Sequence, residues 1–313
     1  MHFSVVIPLF NKRAYIARCL QSVFCQTHAD FDLVVVNDGS TDDSGRELDQ
    51  FRDERLRCIN QLNQGVSVAR NTGLTAAYHD LVFFLDADDT WEPSFLDEMS
   101  QLVTAHPEAG VYACGTRKIF ANGRMLECAP DVSAFVDGTA ILRNYFQTFV
   151  DLGQSPFSNS SFGVRKDVFR MAGGYTPQVK LTEDSDLWIR LALISPIAFF
   201  PRPLANYFVE TENNTRAQAQ VCDYEVIKTL KYVLANGQVP QPWCRGLQKL
   251  LALQKHSQIK RLILLGETNA AWRRLLDADV WMARPLSSLA LAVAASLPLR
   301  IFARLRRLVA FGR

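Results

Sequence analysis

Seven cysteines are scattered over 313 residues, and no two form a Cys-x-x-Cys pair. Their odd number and wide spacing argue against a disulfide framework and against a structural zinc site, and they fit a reducing cytoplasm. No stretch reaches the roughly 20 apolar residues that a membrane span needs. The nearest, Leu286 to Leu299, is short and is broken by serines and a proline. The N-terminus lacks a basic region followed by a long apolar run, so no secretory signal is expected. No Gly-x-Gly-x-x-Gly follows the first apolar run, and Gly-x-x-x-x-Gly-Lys-Ser/Thr is missing, which disfavours dinucleotide-binding and P-loop chemistry. Without Gly-x-Ser-x-Gly there is no hydrolase elbow. The net charge of +2 gives no reason to expect a nucleic-acid partner. Acids are missing after Asp279, whereas Arg284, Arg300, Arg304, Arg306, Arg307 and Arg313 follow it.

What is present is the pattern of a folded α/β chain. Hydrophobic residues make up 48% and charged residues 21%, which excludes a disordered chain. Phe3 to Leu9, Leu33 to Val36, Leu56 to Ile59 and Leu81 to Leu85 are short apolar runs rich in β-branched residues. Between them, Ile16, Leu20, Val23 and Phe24 recur at helical spacing with Asn11 as a candidate cap, and Ser67 to Ala77 is also helical. Continuous apolar strands separated by helices predict a parallel sheet covered on both faces, with ligands at the carboxyl ends of its strands. Val111 to Cys114 and Ile197 to Phe200 are further strands, and Thr182 to Leu193 is a helix. From about Gln218 the pattern is helical, with Leu247, Leu250, Leu251, Leu262 and Ile263 as apolar positions. The Pro201-Arg202-Pro203 and Glu212-Asn213-Asn214 region is the candidate boundary.

Four polar clusters follow strand ends or open a helix. Asn37-Asp38-Gly39-Ser40-Thr41-Asp42 offers a carboxylate that accepts from a base N–H, and a glycine that lets the backbone approach a ligand. A polar turn with Ser40 or Thr41 as helix cap explains it equally well. In Asn63 to Gly73, Arg70 suits an anionic nucleotide, although a solvated arginine on a capped helix is the plainer account. In Asp86-Ala87-Asp88-Asp89, alternate residues of an extended stretch would put Asp86 and Asp88 on one face. Their repulsion is relieved by a hard divalent cation with oxygen ligands, so this cluster favours Mg²⁺ or Mn²⁺ over a solvated acidic turn. In Leu181 to Arg190, Thr182 would cap the helix and place Glu183 and Asp184 in its first turn, where the dipole stabilises carboxylates. There Asp184 is a candidate general base, and Asp186 and Arg190 an ordinary surface pair.

Taken in order, these segments resemble glycosyltransferase family 2. The resemblance rests on Ser4 to Asn11, Val36 to Asp42, Asn63-x-Gly65-x-Ser67-x-Ala69-Arg70-Asn71-x-Gly73, Phe84 to Asp89 with Trp91, Gly173-Gly174-Tyr175 and Glu183-Asp184-x-Asp186-Leu187-Trp188. It implies the GT-A nucleotide-diphospho-sugar transferase fold, a Rossmann-like mixed α/β sheet flanked by helices, and an inverting, metal-dependent transfer from a UDP-sugar to a glycan or lipid-linked acceptor. By that resemblance Pro8 and Phe10 line the uridine pocket, Asp38 binds the uracil with Arg70 nearby, and Asp86 contacts the ribose or the metal region. Asp88 ligates Mn²⁺ or Mg²⁺ on the diphosphate, and Asp184 is the base. The chain departs from the family pattern in two segments. Phe208 and Glu210 stand where a Tyr-Arg-x-His segment usually has Arg and His, and Phe10 stands where Tyr is frequent. Glu210 is a candidate replacement ligand for the metal.

The expected organisation is a catalytic domain over 1–215, with a nucleotide-binding half at 1–105 and an acceptor-binding half at 106–215. A helical region, 216–313, follows. Ile301, Leu305 and Leu308 share one helical face with arginines around it, which suits an anionic membrane surface. That places the protein in the cytoplasm, peripheral on the inner face of the cell membrane. Two other functions fit the α/β pattern. A nucleotidyltransferase needs a Gly-rich basic loop that Pro8 to Asn11 does not supply. A sugar-nucleotide-binding scaffold without catalysis draws support only from the altered segment around Glu210.

Overall fold

A computed structural model describes residues 1–128, 141–179, 181–209, 224–237, 239–277, 280–281 and 285–296. Two compact units divide the chain, Met1–Ala219 and Gln220–Arg313.

The first unit is built on strands β1 (Phe3–Leu9), β2 (Phe31–Asp38), β3 (Leu56–Gln61), β4 (Leu81–Phe84), β5 (Thr90–Trp91), β6 (Val111–Ile119), β7 (Met125–Cys128), β8 (Phe162–Arg165) and β9 (Ile197–Phe208). The order across the sheet is β3-β2-β1-β4-β8-β6-β9-β5, with β7 paired to β6. Strands β1 to β4 are mutually parallel, as the apolar runs predict. The sheet then turns mixed, because β8 runs antiparallel to both β4 and β6.

Helices α1 (Arg13–Phe24), α2 (Ser44–Glu47), α3 (Val66–Ala76), α4 (Phe95–Ala105), α5 (Tyr145–Leu152), α6 (Lys166–Met171) and α7 (Glu183–Ile194) accompany the strands. Alternation divides the core. Phe3, Val5, Ile7 and Leu9 of β1 pack with Ile16, Leu20 and Val23 of α1 and Leu96 and Met99 of α4. Val6 and Val36 face the other side and meet α3 at Gly73, where an added Cβ would stand 2.3 Å from Val6 Cγ1. Only glycine allows so close a helix-to-sheet approach, and it fixes how deeply α3 sits.

Pro8 belongs to a central strand, where proline is rare. It is tolerated because β1–β4 pairing ends at Val6 and Phe84, so its missing N–H breaks no rung there. The Pro201-Arg202-Pro203 segment is not a boundary. It lies inside the 12-residue strand β9, at a register shift against Cys114 to Thr116 of β6 that absorbs the prolines. Glu212 to Asn214 fall outside the described residues.

In the second unit, helices α8 (Glu225–Ala235), α9 (Gln241–Leu264), α10 (Thr268–Leu275) and α11 (Pro285–Ser296) follow. Leu247, Leu250, Leu251, Leu262 and Ile263 all lie buried on α9, as their spacing predicts. Ile259, Leu262 and Ile263 pack with Ala271, Leu275, Val280, Ala292 and Ala295. Among the described residues no helix is long and apolar enough to cross a membrane. Residues 297–313, including the face of Ile301, Leu305 and Leu308, are outside the described part of the chain.

Candidate functional site

The carboxyl ends of β1, β2 and β4 lie side by side, and the polar clusters follow them. At the end of β2, Asp38 is buried. One of its oxygens accepts from the Gln61 amide (2.7 Å) and the Gln64 main-chain N–H (2.9 Å), and the other accepts from Gly65 N–H (2.8 Å). A carboxylate has about four lone-pair positions, so this one keeps capacity for about one more donor. Asp38 therefore anchors the loop that leads into α3 and offers a single acceptor position beside it. Gly39 adopts φ +71°, and a Cβ there would lie 2.7 Å from Asn63 N. The two loops can approach only because that side chain is missing.

Pro8 is buried opposite Val36, and Phe10, just past the strand, is 41% exposed. Of the two, only Phe10 presents a free ring. Asn11 does not cap α1. It has φ +51°, and its side-chain oxygen accepts from Thr41 N–H (2.8 Å) and Asp42 N–H (3.3 Å), tying the first loop to the second. Neither Ser40 nor Thr41 caps a helix. The cap position of α2 is Asp43, and the Ser40 hydroxyl accepts from Asn11 N–H.

The segment from Asp86 to Asp89 is a turn, closed by Asp89 N–H to Asp86 C=O at 2.9 Å, and not an extended stretch. Its carboxylates therefore do not share a face, and each has its own partner. Asp86 takes Arg70 (2.6 Å) and Asp88 takes Lys12 (2.7 Å). Asp89 is buried and accepts from the Ser160 hydroxyl (2.5 Å) and Phe208 N–H (3.2 Å). Burial, reinforced by the charges of Asp88 and Asp86, pushes the Asp89 carboxyl well above the ordinary range.

Arg70 is no solvated arginine. It is 3% exposed, lies over the Tyr175 ring with 5.2 Å to the centroid, and reaches Glu183 at 3.4 Å as well as Asp86. The Asn159 side chain sits between Arg70 (3.1 and 3.3 Å) and the Tyr175 hydroxyl (2.7 Å). Arginine only donates, so the Asn159 carbonyl faces Arg70 and its NH₂ donates to Tyr175. Asn71 clamps the Tyr175 main chain, donating to its C=O (2.8 Å) and accepting from its N–H (3.0 Å).

Helix α7 begins with Glu183, Asp184 and, one turn on, Asp186. Thr182 takes φ +65° at the cap position, but its hydroxyl makes no cap bond and finds no partner among the described residues. Glu183 is raised from 4.5 to about 7 by burial first and by Asp184 second, against the pull of Arg70. Asp184 is half-buried, and its carboxylate accepts from Ser185 N–H at 2.6 Å. Asp186 and Arg190 form no surface pair. Asp186 is 1% exposed and accepts from Arg190 (2.7 Å) and Thr176 (3.2 Å).

Arg70 thus joins Asp86 to Glu183, beside Asp184, while Asp38 and Phe10 belong to the neighbouring strand ends. Lys12, Asn159, Ser160 and the buried role of Asp89 were not anticipated. The polar run Ser158 to Ser161 before the apolar Phe162 is a signal that could have found Asn159 and Ser160. Glu210 lies outside the described residues.

Residues 4–169 match the model of glycosyl transferase family 2, more than half of the chain. The chain belongs to that family. It is similar to an uncharacterized glycosyltransferase of Nostoc, alr2836, at 39% identity over 114 residues, covering 36% of this chain and 35% of the relative. It is also similar to glycosyltransferase GlyA of Streptococcus pneumoniae, at 38% over 105 residues, covering 33% and 15%. A glycosyltransferase of Rickettsia felis matches at 26% over 240 residues, 74% of this chain and 37% of the relative. The chain therefore spans about a third or less of these curated relatives. Among solved structures, S. aureus TarS 1–349 in complex with UDP-GlcNAc superposes with a TM-score of 0.65 at 19% identity, covering 94% of this chain and 79% of that one. The mannosyltransferase PcManGT of Pyrobaculum calidifontis, in complex with GDP-Man and Mn²⁺, superposes at 0.58 and 17%, covering 94% and 85%. The fold of this family 2 member is the GT-A fold of those transferases.

Among the described residues no group of three or more His, Cys, Asp or Glu side chains could hold a metal ion, so a divalent ion here would rest on one or two carboxylates and the substrate. Asp88 and Asp86 are hard oxygen donors on one turn at the carboxyl end of the central strand β4, neither fully buried. Such an ion needs only one or two carboxylates and shares its other positions with water and substrate phosphates.

Proposed function

We propose that this chain is a hexosyltransferase that moves a sugar from a UDP-sugar to a hydroxyl of a glycan or lipid-linked acceptor, in the synthesis of a cell-surface polysaccharide or lipopolysaccharide. The observation that carries this reading is Arg70, buried between Asp86 of the β4 turn and Glu183 at the start of α7. It fixes the turn assigned to the donor and the acid pair assigned to the acceptor to one guanidinium. A UDP-bound fold neighbour supports the choice of nucleotide.

On this reading Phe10 stacks on the uracil beside Pro8, and the last acceptor position of Asp38 takes a base N–H. Asp86, held by Arg70, receives the ribose. Asp88, with Asp86 nearby, would hold Mn²⁺ or Mg²⁺, which would supply Lewis-acid stabilisation of the leaving diphosphate. Asp184 takes the proton of the acceptor hydroxyl. The acceptor oxygen forms its bond to the anomeric carbon on the face opposite the breaking bond to UDP, and the configuration inverts. Both acids are half-buried at the start of α7, and Asp184 is assigned the task because Glu183 is already tied to Arg70 at 3.4 Å.

Contact with the inner face of the membrane belongs to the same reading. Helix α11 buries Ser288, Ala292 and Ala295 and exposes Leu286, Leu289 and Val293, three large aliphatic residues on one face. It carries no charge, and arginines without acids follow it in the sequence. Exposed aliphatic residues followed by a run of arginines suit an anionic membrane surface.

The test is UDP release from a panel of UDP-sugars with Mn²⁺, with and without candidate glycan acceptors. At least one donor should bind and turn over, and Asp88→Ala should lose turnover. If no nucleotide-sugar binds, or if Asp88→Ala turns over as the parent does, the reading is wrong.

A further inference from the structure

The two carboxylates assigned to the donor side have counter-charges of different kinds. Asp86 is paired with Arg70, whose planar guanidinium is buried and fixed by Glu183, Asn159 and the Tyr175 ring. Asp88 is paired with Lys12, whose ammonium is a compact charge on a flexible stem. The Lys12 main chain is anchored, its N–H donating to Ser44 Oγ at 2.8 Å, so the residue stays at the site whatever its side chain does. Arg18, one and a half turns along α1, is held between the Phe208 ring (3.6 Å) and the Asp88 carbonyl (2.9 Å). Lys12 pairs with the Asp88 carboxylate through a flexible methylene stem, with its ammonium 5.7 Å from the centroid of the Tyr15 ring.

We infer that Lys12 is a built-in competitor for the divalent cation at Asp88, and that it turns to the donor diphosphate when nucleotide and metal bind. The inference rests on the proposed assignment of Asp88 as metal ligand. The physical reason is charge placement. Lys12 Nζ lies 2.7 Å from Asp88 Oδ2, and both side chains are largely shielded, at 14% and 18% exposed. A divalent ion on the same carboxylate would stand within a few ångströms of the ammonium in a poorly screened site, and like charges there repel strongly. The ion therefore binds only if Lys12 leaves. A UDP-sugar brings two phosphates to the same turn, and an ammonium is a good point-charge partner for phosphate oxygens. Metal and nucleotide then bind cooperatively, each removing what opposes the other. The free protein keeps a neutralised acidic turn, and metal without nucleotide is held weakly.

The test is Mn²⁺ binding to the full chain, followed by electron paramagnetic resonance of the free ion, with and without UDP. Lys12→Met should bind Mn²⁺ about tenfold more tightly than the parent in the absence of UDP, and UDP should enhance its Mn²⁺ binding less, within the usual span of coupling between two ligands. Lys12→Arg keeps a cation and should stay close to the parent, and Lys12→Gln checks the result should the methionine variant unfold. Mn²⁺ affinity that is unchanged or weaker in Lys12→Met and Lys12→Gln overturns the inference. Failure of the transferase reading looks different: the parent protein then binds no UDP with Mn²⁺ present, whatever the lysine variants do with Mn²⁺ alone.

Discussion

The acidic turn at Asp86 to Asp89 and the acidic start of α7 at Glu183 to Asp186 crowd carboxylates in the same way, yet the fold treats them differently. In the turn, two of the three acids receive a cation each, Arg70 for Asp86 and Lys12 for Asp88. The third is pushed toward its neutral form by burial and its neighbours. At the helix start, Asp186 is neutralised by Arg190, while Glu183 has only a 3.4 Å share of an arginine already committed to Asp86. Its proton affinity rises instead. Crowded acids are settled by a cation where the fold delivers one, and by a proton where it does not.

With Asp184 as the base, Asp184→Asn should lower turnover about a hundredfold to ten-thousandfold while UDP-sugar binding persists, measured by UDP release and by titration calorimetry. Unchanged turnover would transfer the base role to Glu183 or elsewhere.

Arg70 is the group shared by both clusters. Arg70→Met leaves Asp86 and Glu183 without it and should cost about 3–5 kcal/mol in chemical denaturation, as loss of one member of a buried ion pair does. A loss below about 1 kcal/mol would mean the clusters are independent of each other.

Glu183 sharpens the contrast through pH. Its folded value of about 7 stands above the ordinary 4.5. The folded protein keeps a proton that the unfolded chain releases between those values. This group's stabilising contribution is therefore full below pH 4.5 and is lost as pH rises toward 7, by at most about 1.4 kcal/mol per pH unit. Glu183→Gln should flatten that part of the stability profile, measured by denaturation at pH 5 and pH 8. An unaltered slope in the variant would assign the titration elsewhere.

The smallest effect belongs to Asp186→Asn, which keeps the shape but removes the charge facing Arg190 and Thr176. It should cost about 2 kcal/mol of stability and leave donor binding unchanged. Loss of donor binding would make Asp186 part of the site and not its support.

Much of the fold was legible in the chain because its signals are local. The four parallel strands follow from apolar runs at Phe3, Leu33, Leu56 and Leu81, and α9 from the spacing of its leucines. Strand β8 was not, since Phe162 to Arg165 is four residues long and its polar approach conceals it, yet it sits in the middle of the sheet. The capping readings in the first two loops failed for one physical reason. Asn11, Ser40 and Thr41 bond across loops about 30 residues apart instead of to the helix that follows, and no local pattern records that choice.

By itself, the sequence determined which residues carry charge at which strand end, because alternation and helical spacing are properties of neighbouring residues. Tertiary structure decided which charges meet. Arg70 reaches Asp86 across 16 positions and Glu183 across 113, and Lys12 reaches Asp88 across 76. Those distances close only when strand β1 lies between β2 and β4 and α7 returns to the same edge. The strength of each pair then depends on burial, which a chain acquires only when it packs.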